Sequence, residues 1–284
     1  MKRRMFNLLW IFVAILSCQN PQFEDEDGET RLRFVPSTAD MTRSTVAIGD
    51  YFSRLAVQLF DQDGNKVFSQ LKTQTRDDDD FGTLNVGLTA GTYTVVAVGH
   101  SSPVTPTIKS TELVQFTAKD GVKNSDTFCH YGQVTINEDG GYHELKMNRL
   151  TAMVMLSFTD ETMPENYAGL KVEYTGGSAN FNPSTGEGCT KSSQSETRQN
   201  RAKQYQVFTF PYMSSDGVLK VTLSALDAEE NVLTTKVLTD VPVTRNRITK
   251  CTGQLFVDGD FDIKQTTFGI SINDEWDGEI EYHF

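Results

Sequence analysis

Leu55-Ala56-Val57-Gln58-Leu59-Phe60-Asp61-Gln62-Asp63-Gly64-Asn65-Lys66-Val67-Phe68 spells a strand, an acidic turn and a return strand in one stretch. Leu55, Val57 and Leu59 recur at every second residue, the period that gathers an apolar set on one face of an extended chain. Asp-Gly between two such runs is a hairpin signal, because glycine supplies the positive φ that the turn needs. The same order returns where Leu219, Val221, Leu223 and Ala225 lead into Leu226-Asp227-Ala228-Glu229-Glu230-Asn231-Val232-Leu233. Each half of the chain therefore holds an alternating strand, an acidic turn ending in Asn and a return strand. The match is short; it supports two similar sandwiches and leaves duplication open.

Working outward, short alternating segments follow one another with turn signals about every ten residues, the signature of all-β sandwiches. Arg31 to Val35 places Leu32 and Phe34 on one face and is closed by Pro36. Leu84 to Leu88, Tyr93 to Val98, Leu113 to Phe116, Thr127 to Ile136, His143 to Met147, Arg149 to Phe158 and Leu170 to Tyr174 read as further strands, and Phe268, Ile270 and Ile272 alternate near the end. Tyr93 is expected to bury its ring and keep its hydroxyl at the rim. Ser37 to Ser44, Ser101 to Ser110 and the Ser-, Thr- and Gly-rich Asn182 to Gln204 read as loops, and no long amphipathic helix is present. The expected division is residues 31–147 and 148–284, the second half starting at the most apolar run after the N-terminus.

The N-terminus is an export signal. Lys2, Arg3 and Arg4 precede an apolar run from Met5 to Leu16 that is too short to span ~30 Å of hydrocarbon comfortably. Ile15-Leu16-Ser17-Cys18 resembles a bacterial lipobox, which makes Cys18 the expected lipidation site and residues 1–17 the removed signal. Residues 18–30, with Glu24-Asp25-Glu26-Asp27 at their centre, are too polar to bury and form a tether. The expected location is the cell outer membrane, held there by lipid on Cys18.

The formal net charge is −12, and loss of Lys2, Arg3 and Arg4 with the signal takes it to −15, which argues against nucleic acid as a partner. Cys129, Cys189 and Cys251 remain at wide spacings, without a Cys-x-x-Cys pair. They are expected to be buried and unpaired, with one disulfide as the competing case. His100, His130, His143 and His283 lack metal-ligand spacing, and there is neither a Gly-x-Ser-x-Gly elbow nor a phosphate loop. Asp61 to Lys72 fails as a calcium loop because Lys72 stands where a bidentate Glu is needed, and Asp77 to Asp80 reads as a solvated run. No catalytic residue, metal or cofactor is expected.

Ser53-Arg54-Leu55 with its Phe60-Asp61-x-Asp63-Gly64 turn, Leu88-x-x-Gly91-Thr92-Tyr93, Arg149-Leu150-x-Ala152, Tyr174-Thr175-Gly176-Gly177, Val243-Thr244-Arg245-Asn246-Arg247-Ile248-Thr249 and Ile272-Asn273-Asp274-Glu275-Trp276 occur in this order. With the lipobox and the length, this order resembles the fimbrillin-related lipoproteins of Bacteroidales type V pili, closest to the anchor-type fimbrial subunits. The resemblance implies two transthyretin-like β-sandwich domains in tandem and assembly with other pilus subunits by donor-strand exchange. In shaft subunits of that family a protease cuts after an arginine and frees the first strand; in anchors the first strand stays. Carried onto this chain, Leu32 and Phe34 belong to the self-complementing strand, Arg43 is a candidate protease site, and Phe268, Ile270 and Ile272 are candidate donor residues. Arg245 and Arg247 are expected in domain packing. The alternative is a glycan-binding outer-membrane lipoprotein on the same architecture, using Tyr142, Tyr167, Tyr212 or Trp276 as a sugar platform; a host or glycan ligand is a further expected partner.

Overall fold

The computed structural model describes residues 29–37, 48–117, 124–212 and 217–266, and they are almost entirely β. The first half supplies β1 (Glu29–Pro36), β2 (Arg54–Phe60), β3 (Lys72–Thr75), β4 (Thr83–Gly87), β5 (Gly91–His100), β6 (Thr107–Ser110), β7 (Leu113–Gln115), β8 (Thr127–Ile136) and β9 (Gly141–Arg149). Seven of these form one ladder, β3-β2-β5-β8-β9-β1-β4. Within it β8 and β9 pair only at Phe128–Arg149 and Cys129–Asn148. The ladder folds over there, so that β4-β1-β9 faces β3-β2-β5-β8 across a core of Leu32, Phe34, Leu55, Val57, Val95, Phe128 and Met147. Tyr93 has a buried ring whose hydroxyl donates to the Thr89 carbonyl at 2.9 Å, as its position at the rim requires.

The second half supplies β10 (Ala152–Phe158), β11 (Gly169–Ser178), β12 (Asn180–Asn182), β13 (Glu187–Gly188), β14 (Lys191–Arg198), β15 (Gln204–Thr209), β16 (Gly217–Leu226), β17 (Val232–Val243), β18 (Ile248–Gly253) and β19 (Asp262–Thr266). The sheets β15-β10-β18-β19 and β14-β11-β16-β17 enclose Val154, Leu156, Val172, Tyr174, Leu223 and Val241. The pairing rule of the first sandwich recurs. β1 lies antiparallel to β4 and parallel to β9, and β10 lies antiparallel to β15 and parallel to β18.

The acidic turns are one local device used at two different places. Asp63 and Asn65 N–H donate to Asp61 Oδ1 at 3.0 and 2.8 Å, and Asn65 Nδ2 donates to Oδ2 at 3.1 Å. Glu229 and Asn231 N–H donate to Asp227 Oδ1 at 3.0 and 2.8 Å, with Asn231 Nδ2 on Oδ2 at 3.0 Å. These amides hold both carboxyls below the usual range, the Asn65 backbone foremost at Asp61 and the Asn231 side chain foremost at Asp227. The first turn follows β2, however, and the second joins β16 to β17, which correspond to β5 and β8. The sequence match is therefore a shared turn and not the register of the repeat. The return strand expected at Val67 and Phe68 is also shorter than that. Lys66 bridges Phe60, but the Gln58 side chain then takes the place of a ladder partner, accepting from Phe68 N–H at 3.1 Å and donating to its carbonyl at 3.0 Å. Regular pairing resumes only at β3.

A fourth sheet, β13-β12-β7-β6, draws two strands from each half. Val114 of β7 pairs with Phe181 of β12. Beneath it Val96, Val98 and Phe60, on the outer face of β2 and β5, pack with Ile108, Phe116, Phe181 and Phe210. At the crossing between the halves Arg149 is 6% exposed, forms an ion pair with Asp126 at 2.9 Å and lies 4.5 Å from the Phe128 ring centroid. The boundary expected after residue 147 falls inside β9.

Three further expectations are corrected. Asn182 to Gln204 is not a long loop, because β14 occupies Lys191–Arg198 and pairs with β11. Its inward residues, Gln194 and Glu196, are polar yet buried, and the Tyr174 hydroxyl lies 3.1 Å from the side-chain oxygen of each. A polar inward face leaves no hydrophobic alternation to read. The stretch read as a loop to Ser110 ends in β6. Cys129 and Cys251 are buried free thiols, but Cys189 is exposed.

Glu230 sits at φ +67° in the turn position that Gly64 fills at +79°. A side chain there costs about 1 kcal/mol, so Glu230→Gly should stabilise the chain by roughly 0.5–1 kcal/mol in urea unfolding despite losing the exposed Gln199 hydrogen bond. Burial pushes the Glu196 carboxyl up, against the pull of Arg198 and Tyr174. Its folded form then binds the proton more tightly than its unfolded form. Stability from this group is full at acidic pH and declines as pH rises from the ordinary carboxylate range through the raised value. Glu196→Gln, which keeps a donor and an acceptor, should remove that decline in unfolding curves recorded from pH 4 to 8.

Candidate functional site

β1 is the element on which the sequence places a role, and its geometry follows from its alternation. Leu32 and Phe34 point inward and are 0% and 1% exposed. Arg31 and Arg33 point outward; Arg31 Nε donates to Asn85 Oδ1 at 3.1 Å and Arg33 Nη1 to the Tyr142 hydroxyl at 3.5 Å. Tyr142 foremost, and Glu144 beyond it, hold the Arg33 guanidinium above its usual range. Both backbone edges of β1 are used. Thr30 to Pro36 pairs with Gly141 to Met147 of β9, and Glu29 to Arg33 pairs with Gly87 to Thr83 of β4. Phe34 N–H donates beyond β4 to the Gly82 carbonyl at 2.8 Å. Pro36 closes the strand because it has no N–H, and Ser37 N–H returns to the Met147 carbonyl at 2.7 Å. Without β1 the sandwich would carry a slot between β9 and β4, floored by Val86, Leu145 and Met147 of the same core.

Among the residues singled out by sequence, the described structure contains Leu32 and Phe34 and brings them together in one core. Cys18, Arg43, Phe268, Ile270, Ile272 and Trp276 lie outside the described residues. Arg245 Nη1 donates to the Thr185 carbonyl at 2.9 Å and so ties the β17–β18 turn to the β12–β13 turn. Of the tyrosines considered as sugar platforms, Tyr167 is fully buried, with its ring edge-to-face on Phe256 and its hydroxyl 3.1 Å from that of Tyr205. Tyr212 is half-buried and Tyr142 is exposed. His100 is buried edge-to-face on Phe116, and burial pushes it down to about 4, so it is neutral at physiological pH. Burial pushes the Cys129 and Cys251 thiols up, away from the reactive thiolate. Among the described residues no group of three His, Cys, Asp or Glu side chains is placed to hold a metal ion. A shallow cleft of about 330 Å³ between Gln58, Lys66, Leu71 and Pro106 has Gln58 already engaged by backbone.

Fold and strand arrangement together define an all-β protein of packed sandwiches whose first strand lies inside its own sheet. The chain belongs to a family of unknown function (DUF6562), whose profile matches residues 22–284. No curated protein matches the sequence. Among solved structures, one described as a "putative adhesin" from Bacteroides ovatus aligns over 89% of this chain and 96% of its own at 14% identity, with a TM-score of 0.52. A "putative cell adhesion protein" from Bacteroides ovatus aligns over 91% and 99% at 15% identity and TM-score 0.50. The fimbrial anchor protein Mfa2 from Porphyromonas gingivalis aligns over 89% and 99% at 14% identity and TM-score 0.45. The fold of this chain is therefore that of the Bacteroides structures described as a putative adhesin and a putative cell adhesion protein, in line with the resemblance read from the ordered motifs.

Truncation of a buried Phe typically costs 3–5 kcal/mol. Phe34→Ala should lower the free energy of unfolding by about that amount, whereas Arg33→Ala on the opposite face of the same strand should stay within about 0.5 kcal/mol. Urea titration of the two variants, followed by tyrosine fluorescence, checks the difference.

Proposed function

We propose that this chain is a cell-surface lipoprotein that serves as an anchor-type structural subunit of a fimbria and contributes to adhesion. The observation that carries the reading is the place of β1. It runs inside the first sandwich, paired on both sides, with Leu32 and Phe34 filling the core. A subunit whose groove is filled by its own first strand can cap one end of a fibre, because no neighbour's strand is needed there. The descriptions of proteins sharing the fold, putative adhesin and putative cell adhesion protein, support a surface role. Lipid on Cys18 would hold the base in the outer membrane, and Phe268, Ile270 and Ile272 would supply the alternating strand offered to the next subunit. Pairing of such a strand gives affinity through backbone hydrogen bonds and register through alternate side chains. The two sandwiches are in this reading the two domains of the subunit, meeting at Arg149-Leu150-Thr151. The glycan-binding alternative has less support, since Tyr167 is interior.

The test is the intact mass and N-terminus of the protein recovered from outer membranes and from sheared surface fibres. The expected chain begins at acylated Cys18, retains Leu32 to Val35 and co-purifies with fibres. A chain beginning at Ser44 would make it a cleaved, polymerising subunit and overturn the anchor role, and its absence from fibre preparations would overturn the fimbrial role.

A further inference from the structure

A pull on the chain ahead of Glu29 enters the first sandwich through β1, and the direction of that strand decides how the pull is borne. β1 lies parallel to β9, from Thr30–Gly141 to Pro36–Met147. Its first residue therefore sits at the β8–β9 turn, so near that a Cβ on Gly140 would collide with the Glu29 carbonyl. Its last residue sits where β9 runs out at Arg149 and the chain passes through Leu150 and Thr151 into β10. The N-terminal end of β1 is thus the end of the first sandwich remote from the crossing between the halves.

Tension between the chain ahead of Glu29 and the second half then acts along β1 and draws it lengthwise. Both of its edges resist. Ser37 N–H donates to the Met147 carbonyl of β9, and Phe34 N–H donates to the Gly82 carbonyl beyond β4. N–H and C=O of one strand residue point to the same side, so Arg31, Arg33 and Val35 turn theirs to β9, and Thr30 and Leu32 turn theirs to β4. Bonds on both edges lie across the pull and share it. The seven residues paired with β9 span about 23 Å, and Leu32 and Phe34, 0% and 1% exposed, must leave the core in the same movement. A β1 antiparallel to β9 would instead place Glu29 beside Met147 at the crossing, where the same pull would open its bonds one at a time.

We propose that β1 is a shear clamp: its parallel ladder with β9, backed by β4, makes the first sandwich a load-bearing element for tension on the chain ahead of Glu29. The clamp follows from strand order and stands apart from the fimbrial role. A subunit held by its N-terminus would use it, and a chain without that role would keep it.

Single-molecule force spectroscopy tests it on the chain from Gln19 to Phe284, held by an N-terminal tag and carrying Cys189→Ser. Cys129 and Cys251 are buried, so a cysteine introduced at an exposed position takes the second attachment. Pro103→Cys is an exposed site three residues past His100, which pairs with Thr127, and the Thr127 carbonyl accepts from Leu150 N–H. Attachment there, at the crossing end, loads β1 lengthwise. Glu138→Cys is exposed in the β8–β9 turn beside Glu29, and attachment there peels β1 from its first residue. Forced unfolding reports the barrier along the pulled path, so the comparison reads the direction of load. The step that releases β1 should need at least twice the force in the Pro103→Cys chain that it needs in the Glu138→Cys chain. A ratio below two overturns the proposal.

Discussion

Parallel pairing between the first strand of each sandwich and a strand from its C-terminal end is the constraint on which the rest of this molecule depends. Thr30 meets Gly141 and Met153 meets Ile248, each across about a hundred residues. Such a contact closes a long loop before it returns any stabilisation, so each sandwich is complete only when the distant parallel strand is in place. The inward side chains of that first strand then have no solvent-facing alternative. Leu32 and Phe34 in one sandwich, and Val154 and Leu156 in the other, sit at the centre of cores contributed by every neighbouring strand.

The two closures are coupled by insertions. β6–β7 leaves the first sandwich between β5 and β8, β12–β13 leaves the second between β11 and β14, and they complete a single small sheet over the outer face of β2 and β5. Burying Phe181 and Phe210 against Val96 and Val98 gives the crossing an apolar seam that a polar linker would lack. Beside it, Asn124 Nδ2 reaches the Gln194 side chain at 3.0 Å and Arg149 bridges Asp126 and Asn246. Removing Asp126 would leave the Arg149 guanidinium buried with an uncompensated charge, which is strongly destabilising.

The second core carries an unusual polar centre. The Tyr174 hydroxyl has one proton and faces Gln194, Glu196 and the Phe208 carbonyl. Burial pushes the Glu196 carboxyl up, while the Arg198 guanidinium 2.9 Å from its other oxygen pulls it down. The same arrangement explains why an eight-residue strand without one apolar side chain lies in a sandwich.

Much of the architecture was legible along the chain. Alternation at Leu55-Val57-Leu59, Leu32-Phe34 and Leu219-Val221-Leu223 marks strands because a period of two has one physical meaning, and Asp-x-x-x-Asn turns announce themselves through side chains bonding their own backbone. β14 was illegible because its inward residues are hydrogen-bonded rather than apolar, and Val67-Phe68 read as a strand although Gln58 replaces the ladder there. By itself the sequence determined that the chain is all-β, where most strands begin, and that Leu32 and Phe34 face a core, since local periodicity and turn chemistry settle these. Only the tertiary structure decided that β1 lies parallel to β9 and that insertions from both halves share a sheet. Those are pairings between residues far apart, and nothing in a strand's own sequence says which edge will meet it.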